Sequence, residues 1–119
     1  MEILHDSVVR LRQAAGRDYD DRGISQLETA LGEIGANVLT HGSPTGSVHR
    51  VEYILQMDGG SAIASFTDSG PQVHNHLARP MPAPTSEVGR GLALARLLLD
   101  ELGYRREDGV NRWRLVKRL

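Results

Sequence analysis

The stretch ALGEIGANVLTHG, residues 30–42, decides how the rest of the chain is read. With Ile24 and Leu27 ahead of them, Leu31, Ile34 and Val38 recur at helical spacing and predict a helix over 24–41, with Gly42 as its breaker. Glu33, Asn37 and His41 follow at i, i+4 and i+8. At about 100° per residue they lie near 0°, 40° and 80°, and the apolar residues at about 100–180°. The polar stripe borders the core face, where a carboxylate and an amide are partly desolvated. A solvated helix edge would show the same stripe, so its meaning depends on its company.

Upstream, Leu4, Val8, Leu11 and Ala15 predict a helix over 4–15 with Gly16 as the stop, and residues 17–23 form a charged loop. Downstream, residues 43–47 are a turn. Val51, Tyr53, Leu55 and Met57 then alternate with Arg50, Glu52, Ile54 and Gln56 as a strand. Asp58-Gly59 signals a hairpin, and Ser61–Thr67 is the return strand ending at Asp68. Four of the five prolines (Pro71, Pro80, Pro82, Pro84) fall in 70–89, a stretch too long for an ordinary connector and expected to be a lid. A third helix is expected over 91–102, with Leu92, Ala95, Leu98, Leu99 and Leu102 inward. Two short strands, 104–107 and 111–117, meet at Asp108-Gly109. Clustered helices and hairpins predict an α+β two-layer sandwich: a mixed or antiparallel sheet with three helices on one face.

At 119 residues the chain is long enough for one domain, 1–119, and too short for two. It has no cysteine, which excludes disulfides, thiolate zinc sites and cysteine nucleophiles. No apolar run approaches the ~20 residues of a membrane span and no signal-peptide core is visible, so a cytoplasmic protein with no membrane contact is expected. The formal net charge of −1 gives no global field toward nucleic acid. The basic C-terminal stretch from Arg105 to Arg118 lacks aromatic interleaving beyond Tyr104 and Trp113, and reads as a solvated strand face.

Two further segments carry chemistry. Asp68-Ser69-Gly70 closes a strand, where a carboxylate can accept an amino proton from a ligand base and glycine lets the ligand approach; an ordinary turn has the same composition. Gly89-Arg90-Gly91-Leu92 opens the third helix, whose free N–H groups can meet an anion; loop flexibility would also use these glycines. The segment is neither a Walker A motif nor the dinucleotide fingerprint.

Taken in order, Glu33-x3-Asn37, Asp68-x-Gly70, a proline-rich lid over about 70–89 and Gly89-x-Gly91-Leu92 resemble the GHKL ATPase superfamily with its histidine-kinase-like ATP-binding fold. The resemblance is greatest to the anti-sigma factor serine kinases, and it covers most of residues 24–119 through ALGEIGANVLTHG, FTDSGP, GRGLALARLLLDEL and YRREDGVNRWRLVKRL. It implies an ATP site with Mg²⁺. Asn37 matches the metal-binding asparagine, Glu33 the general base and Asp68 the adenine-reading aspartate with Gly70 beside it. Gly89, Arg90, Gly91 and Leu92 match the phosphate-binding helix start, and Arg79 or Arg90 would meet the γ-phosphate. The implied activity is serine/threonine phosphorylation of a STAS-fold anti-anti-sigma protein by a chain that also sequesters a sigma factor. Direct nucleic-acid binding is not implied, and a homodimer is among the assemblies it allows. The alternative reading is a nucleotide-binding regulatory module that binds a partner without kinase activity. The chain departs from the family pattern in four places: only Met1–Leu4 precede the first helix, Pro71-Gln72 follow Gly70 where a second glycine is usual, Ala93 stands where glycine is usual, and the lid has no lysine. His41 is read as a helix-end residue, His74 and His76 as exposed lid residues, and Trp113 and Tyr104 as sheet packing.

Overall fold

A computed structural model of the chain describes residues 2–42, 50–70 and 90–119, with the backbone alone at 40–42 and 90. The element order is α1 (Glu2–Ala14), α2 (Arg22–Gly42), β1 (Val51–Asp58), β2 (Ser61–Asp68), α3 (Arg90–Leu98), β3 (Glu101–Glu107) and β4 (Val110–Arg118). The strands form one sheet in the order β1-β2-β4-β3, antiparallel at every junction. With three helices, this is the expected α+β architecture.

The turns follow from local chemistry. Gly16 adopts φ 66° after α1, Arg17 N–H donates to Arg12 O and Gly16 N–H to Gln13 O, the paired bonds of a Schellman ending. Asp21 caps α2 by accepting from Ile24 N–H at 3.0 Å. That bond, with Arg17 adding to it, holds the Asp21 carboxyl below its ordinary value despite some desolvation. At the first hairpin Gly59-Gly60 make the turn, with Gly59 at φ 61°, so Asp58 belongs to β1. At the second, Asp108 (φ 53°) and Gly109 (φ 75°) both lie in the left-handed region that a type I′ turn requires.

The core lies between the helices and the inward face of the sheet. Leu4, Val8 and Leu11 from α1 and Leu27, Leu31 and Ile34 from α2 pack with Leu92 and Ala95 from α3 on Ala62, Ala64, Phe66, Trp113 and Leu115. Burying side chains of this size stabilises by roughly 1.5–3 kcal/mol each. Ser7 Oγ donates to Leu4 O, so it accepts from Tyr53 Oη at 2.7 Å, and this bond ties α1 to β1.

The largest boundary difference from the sequence reading is at the end of the third helix. The third helix ends at Leu98, and β3 starts at Glu101. Leu102 stands at helical spacing from Ala95 and Leu98, but it also shares one strand parity with Tyr104 and Arg106, and the strand takes it. Lys117 Nζ donates to Leu98 O at 2.8 Å and closes the helix end, while Asp100 N–H donates to Val116 O and starts the strand pairing. α2 also runs through Gly42, which the sequence reading takes as its breaker.

Candidate nucleotide site

Asp68 is the last residue of β2 and points inward, only 4% exposed. Register places Asn111 of β4 directly opposite. Asp68 Oδ1 accepts from Gly70 N–H at 2.8 Å, which turns the chain as it leaves the strand, and from Asn111 Nδ2 at 3.1 Å. Asn111 Nδ2 also donates to Gly70 O at 3.1 Å. Asn111 Oδ1 accepts from Tyr104 Oη and from Arg106 Nη1, the latter at 3.0 Å, and Arg106 Nη1 reaches Gly70 O at 2.8 Å. Both amide protons and both lone pairs of Asn111 are thereby engaged. This sets its orientation, because acceptors lie on one side and donors on the other. With all its amide bonds made, Asn111 holds Asp68 Oδ1 and Gly70 O in fixed directions.

The second part of the site lies where α2 meets α3. A Cβ at Gly91 would overlap Glu33 Oε2, the far end of a flexible side chain, so glycine here lets the Glu33 carboxylate rest against the start of α3. Glu33 and Asn37 are both half-buried, and Asn37 stands one turn, about 6 Å, further along α2. Leu92 and Ala93 are buried behind Gly91. Thus Glu33, Gly91 and Leu92 meet at the α2–α3 contact, while Asp68 and Gly70 meet at the end of β2. The remaining residues of the expected site, Gly89 and Arg79 with the lid over 71–88, lie outside the described residues, as do His74, His76 and the side chains of His41 and Arg90.

The sequence reading assigns Asn111, Arg106 and Tyr104 to no site. Asn111 could have been found from its parity with Trp113 and Leu115, since a polar residue on an inward face needs partners. Nothing in sequence marks Arg106, whose partners come from the end of β2 and from β4.

The donor set fits a nucleotide. Oδ1 of Asp68 is held by two donors, and an ionised carboxylate only accepts, so its second oxygen suits the amino group of a purine. Asn37 offers one neutral oxygen. Mg²⁺ takes few protein ligands and keeps waters and phosphate oxygens, so one amide oxygen is compatible with it. Among the described residues, no group of three or more His, Cys, Asp or Glu side chains could hold a metal ion. Among them too, no helix is long and apolar enough to cross a membrane.

The sequence matches the histidine kinase-like ATPase domain family over residues 5–117, and the chain belongs to that family, a GHKL-type ATP-binding domain. No curated protein sequence matches. Among solved structures, the catalytic domain of the histidine kinase ThkA is similar, with TM-score 0.65 and 14% identity over 98% of this chain and 90% of that one. The histidine kinase domain of the Erythrobacter litoralis blue-light activated histidine kinase gives TM-score 0.66 at 15% identity, covering 98% of this chain and 59% of that one. The Acinetobacter baumannii histidine kinase AdeS gives 0.59 at 15% identity, covering 80% of this chain and 46% of that one. The chain therefore spans less than two thirds of the length of the latter two, and likeness at this identity is a likeness of fold.

Proposed function

We propose that this chain is an ATP-dependent, Mg²⁺-requiring serine/threonine kinase of the anti-sigma type, which holds a sigma factor and phosphorylates a STAS-fold antagonist. The observation that carries the nucleotide part is the Asp68–Asn111–Gly70 cluster, a buried carboxylate with two donors on one oxygen. The anti-sigma part rests on the resemblance of residues 30–42, 66–71 and 89–102. Phosphoryl transfer requires positioning and charge neutralisation above all. Asp68 would read the base, Gly89, Arg90, Gly91 and Leu92 would line the phosphates with Arg79, and Asn37 would ligate Mg²⁺, which neutralises phosphate charge when bound. Glu33 would take the proton of the partner's hydroxyl.

A second reading is a nucleotide-responsive regulatory module without kinase activity. It is favoured by the buried methyl of Ala93, which stands where the family pattern has glycine. The experiment is transfer of labelled γ-phosphate from Mg-ATP to the STAS protein by the parent and by Glu33→Gln. The kinase reading expects transfer that slows by roughly 10²–10⁴-fold in Glu33→Gln while nucleotide binding is kept. Equal rates reject the base role, and nucleotide binding without any transfer by the parent supports the regulatory module.

A further inference from the structure

Among the described residues, the three helices pack on one face of the sheet and leave the other bare. Register lays out the bare face in rows across β1, β2, β4 and β3. One row is Glu52, Thr67, Arg112 and Arg105, and the next is Ile54, Ser65, Arg114 and Gly103. Beyond them Ile63 stands opposite Val116 and diagonal to Ile54. The first two rows, with Ile63, line an open trough of about 780 Å³.

Two features of this face weaken the isolated fold. Arg105 and Arg112 stand directly opposite each other, and like charges so placed are destabilising. Arg105 meets Glu107 at 3.6 Å and Arg114 meets Glu101 at 3.8 Å, but both pairs are exposed and contribute little. Arg112 enters no ion pair among the described residues. The second feature is Gly103, inside β3. It lacks the positive φ that calls for glycine, and nothing lies within 4 Å of where its Cβ would sit. Glycine inside a strand loosens it, and the open space above it admits the close approach of another chain.

We infer that this face docks an acidic amphipathic helix of a partner protein. Four strands about 4.8 Å apart make a trough about 14 Å wide, room for a helix about 10 Å across. An arginine fork takes both oxygens of a carboxylate side by side, so Arg105, Arg112 and Arg114 receive the acidic residues. A carboxylate between Arg105 and Arg112 also relieves their repulsion. Apolar residues of the helix rest on Ile63 and on Ile54, which is 49% exposed, and Gly103 leaves room beside Arg114. A nucleic acid fits this face less well. Tyr104 and Trp113 belong to the inner face, so neither stacks a base here. Glu52, at the far end of the Arg112 row, repels phosphate, whereas a helix can set a neutral or basic residue over it. The nucleotide site, where Asp68 points inward, lies on the other side of the sheet.

The test is titration of the full chain with a fluorescein-labelled peptide of Leu, Glu and Ala, whose Leu and Glu share one helical face. Binding is read by anisotropy and by amide NMR for the parent, Arg112→Ser, Arg112→Glu and Gly103→Gln, and thermal unfolding checks that each is folded. The docking surface expects saturable binding by the parent that weakens with salt, with amide shifts at residues 63–67 and 112–114. Arg112→Ser should bind roughly tenfold more weakly, and Arg112→Glu more weakly still. Gly103→Gln, which fills the space beside Arg114, should weaken binding without lowering the melting temperature. Arg112→Ser removes a like-charge pair, so it keeps the test decisive even if Arg112→Glu fails to fold. A parent that does not bind the peptide, or variants that bind it as tightly as the parent, overturn the proposal. So do displacement of the peptide by Mg-ADP, tighter binding of a single-stranded oligonucleotide to the same amides, and a face that dilution shows to be closed by a second copy.

Discussion

Asn111 sits directly across the sheet from Asp68 and donates its amide to Asp68 Oδ1 at 3.1 Å, with Gly70 O as its second acceptor. The end of β2 is thus built as a unit: one carboxylate, one amide and one carbonyl fix one another's directions. Asn111→Ala would leave a buried carboxylate oxygen and a buried carbonyl each short of a donor. The expected loss is about 1–3 kcal/mol in urea unfolding, together with weaker nucleotide binding. A variant as stable as the parent would show that Arg106 alone holds Gly70 O.

The contact between Glu33 and Gly91 makes a steric prediction. Gly91→Ala must displace the Glu33 carboxylate, at about 0.5–1.5 kcal/mol for turning that flexible side chain off its rotamer. Glu33→Ala removes the obstructing carboxylate, so the double variant should recover most of that loss. The coupling is read from a double-mutant cycle of thermal or urea unfolding. Additive effects would mean that the two residues do not share this space.

Tyr53 predicts how stability behaves in alkali. Burial raises the Tyr53 phenol above its ordinary value of 10.0. A group whose folded pKa is raised contributes its stabilisation below the unfolded value and loses it as pH rises through the folded one. Unfolding followed by fluorescence should therefore show a loss of stability above pH 10.0 that is absent in Tyr53→Phe.

Asp21 behaves in the opposite sense. Its folded pKa lies below the ordinary 3.8, so its contribution is present above that value and disappears as pH falls through the folded pKa. Asp21→Ala should lower the melting temperature at neutral pH and converge with the parent in strong acid. Asp21→Asn, which can still accept from Ile24 N–H, should lose less.

The elements were legible in the sequence wherever periodicity was unmixed. Leu27, Leu31 and Ile34 mark α2, and Val51, Tyr53 and Leu55 mark β1, because each run satisfies a single period. Leu98, Leu99 and Leu102 satisfy two, and the carbonyl cap from Lys117 that ends α3 comes from a strand nineteen residues away in sequence. The site divides in the same way. Asp68, Gly70, Glu33 and Gly91 lie in local motifs. Asn111 and Arg106 enter through the β2–β4 pairing, which no local pattern encodes, and Gly91 acquires its steric relation to Glu33 only once α3 packs on α2.

The most direct measurement of the central claim is calorimetric titration of Mg-ADP into the parent and into Asp68→Asn. The exchange keeps the shape and still lets Asn111 and Gly70 donate to one oxygen, but it can place an amide N–H where the purine amino group needs an acceptor. A hydrogen bond to a charged group is worth about 1.5–3 kcal/mol, so roughly 10- to 100-fold weaker binding is predicted for Asp68→Asn against saturable binding by the parent. A folded parent that takes up no nucleotide at millimolar concentration, or an Asp68→Asn variant that binds as tightly as the parent, would contradict the account.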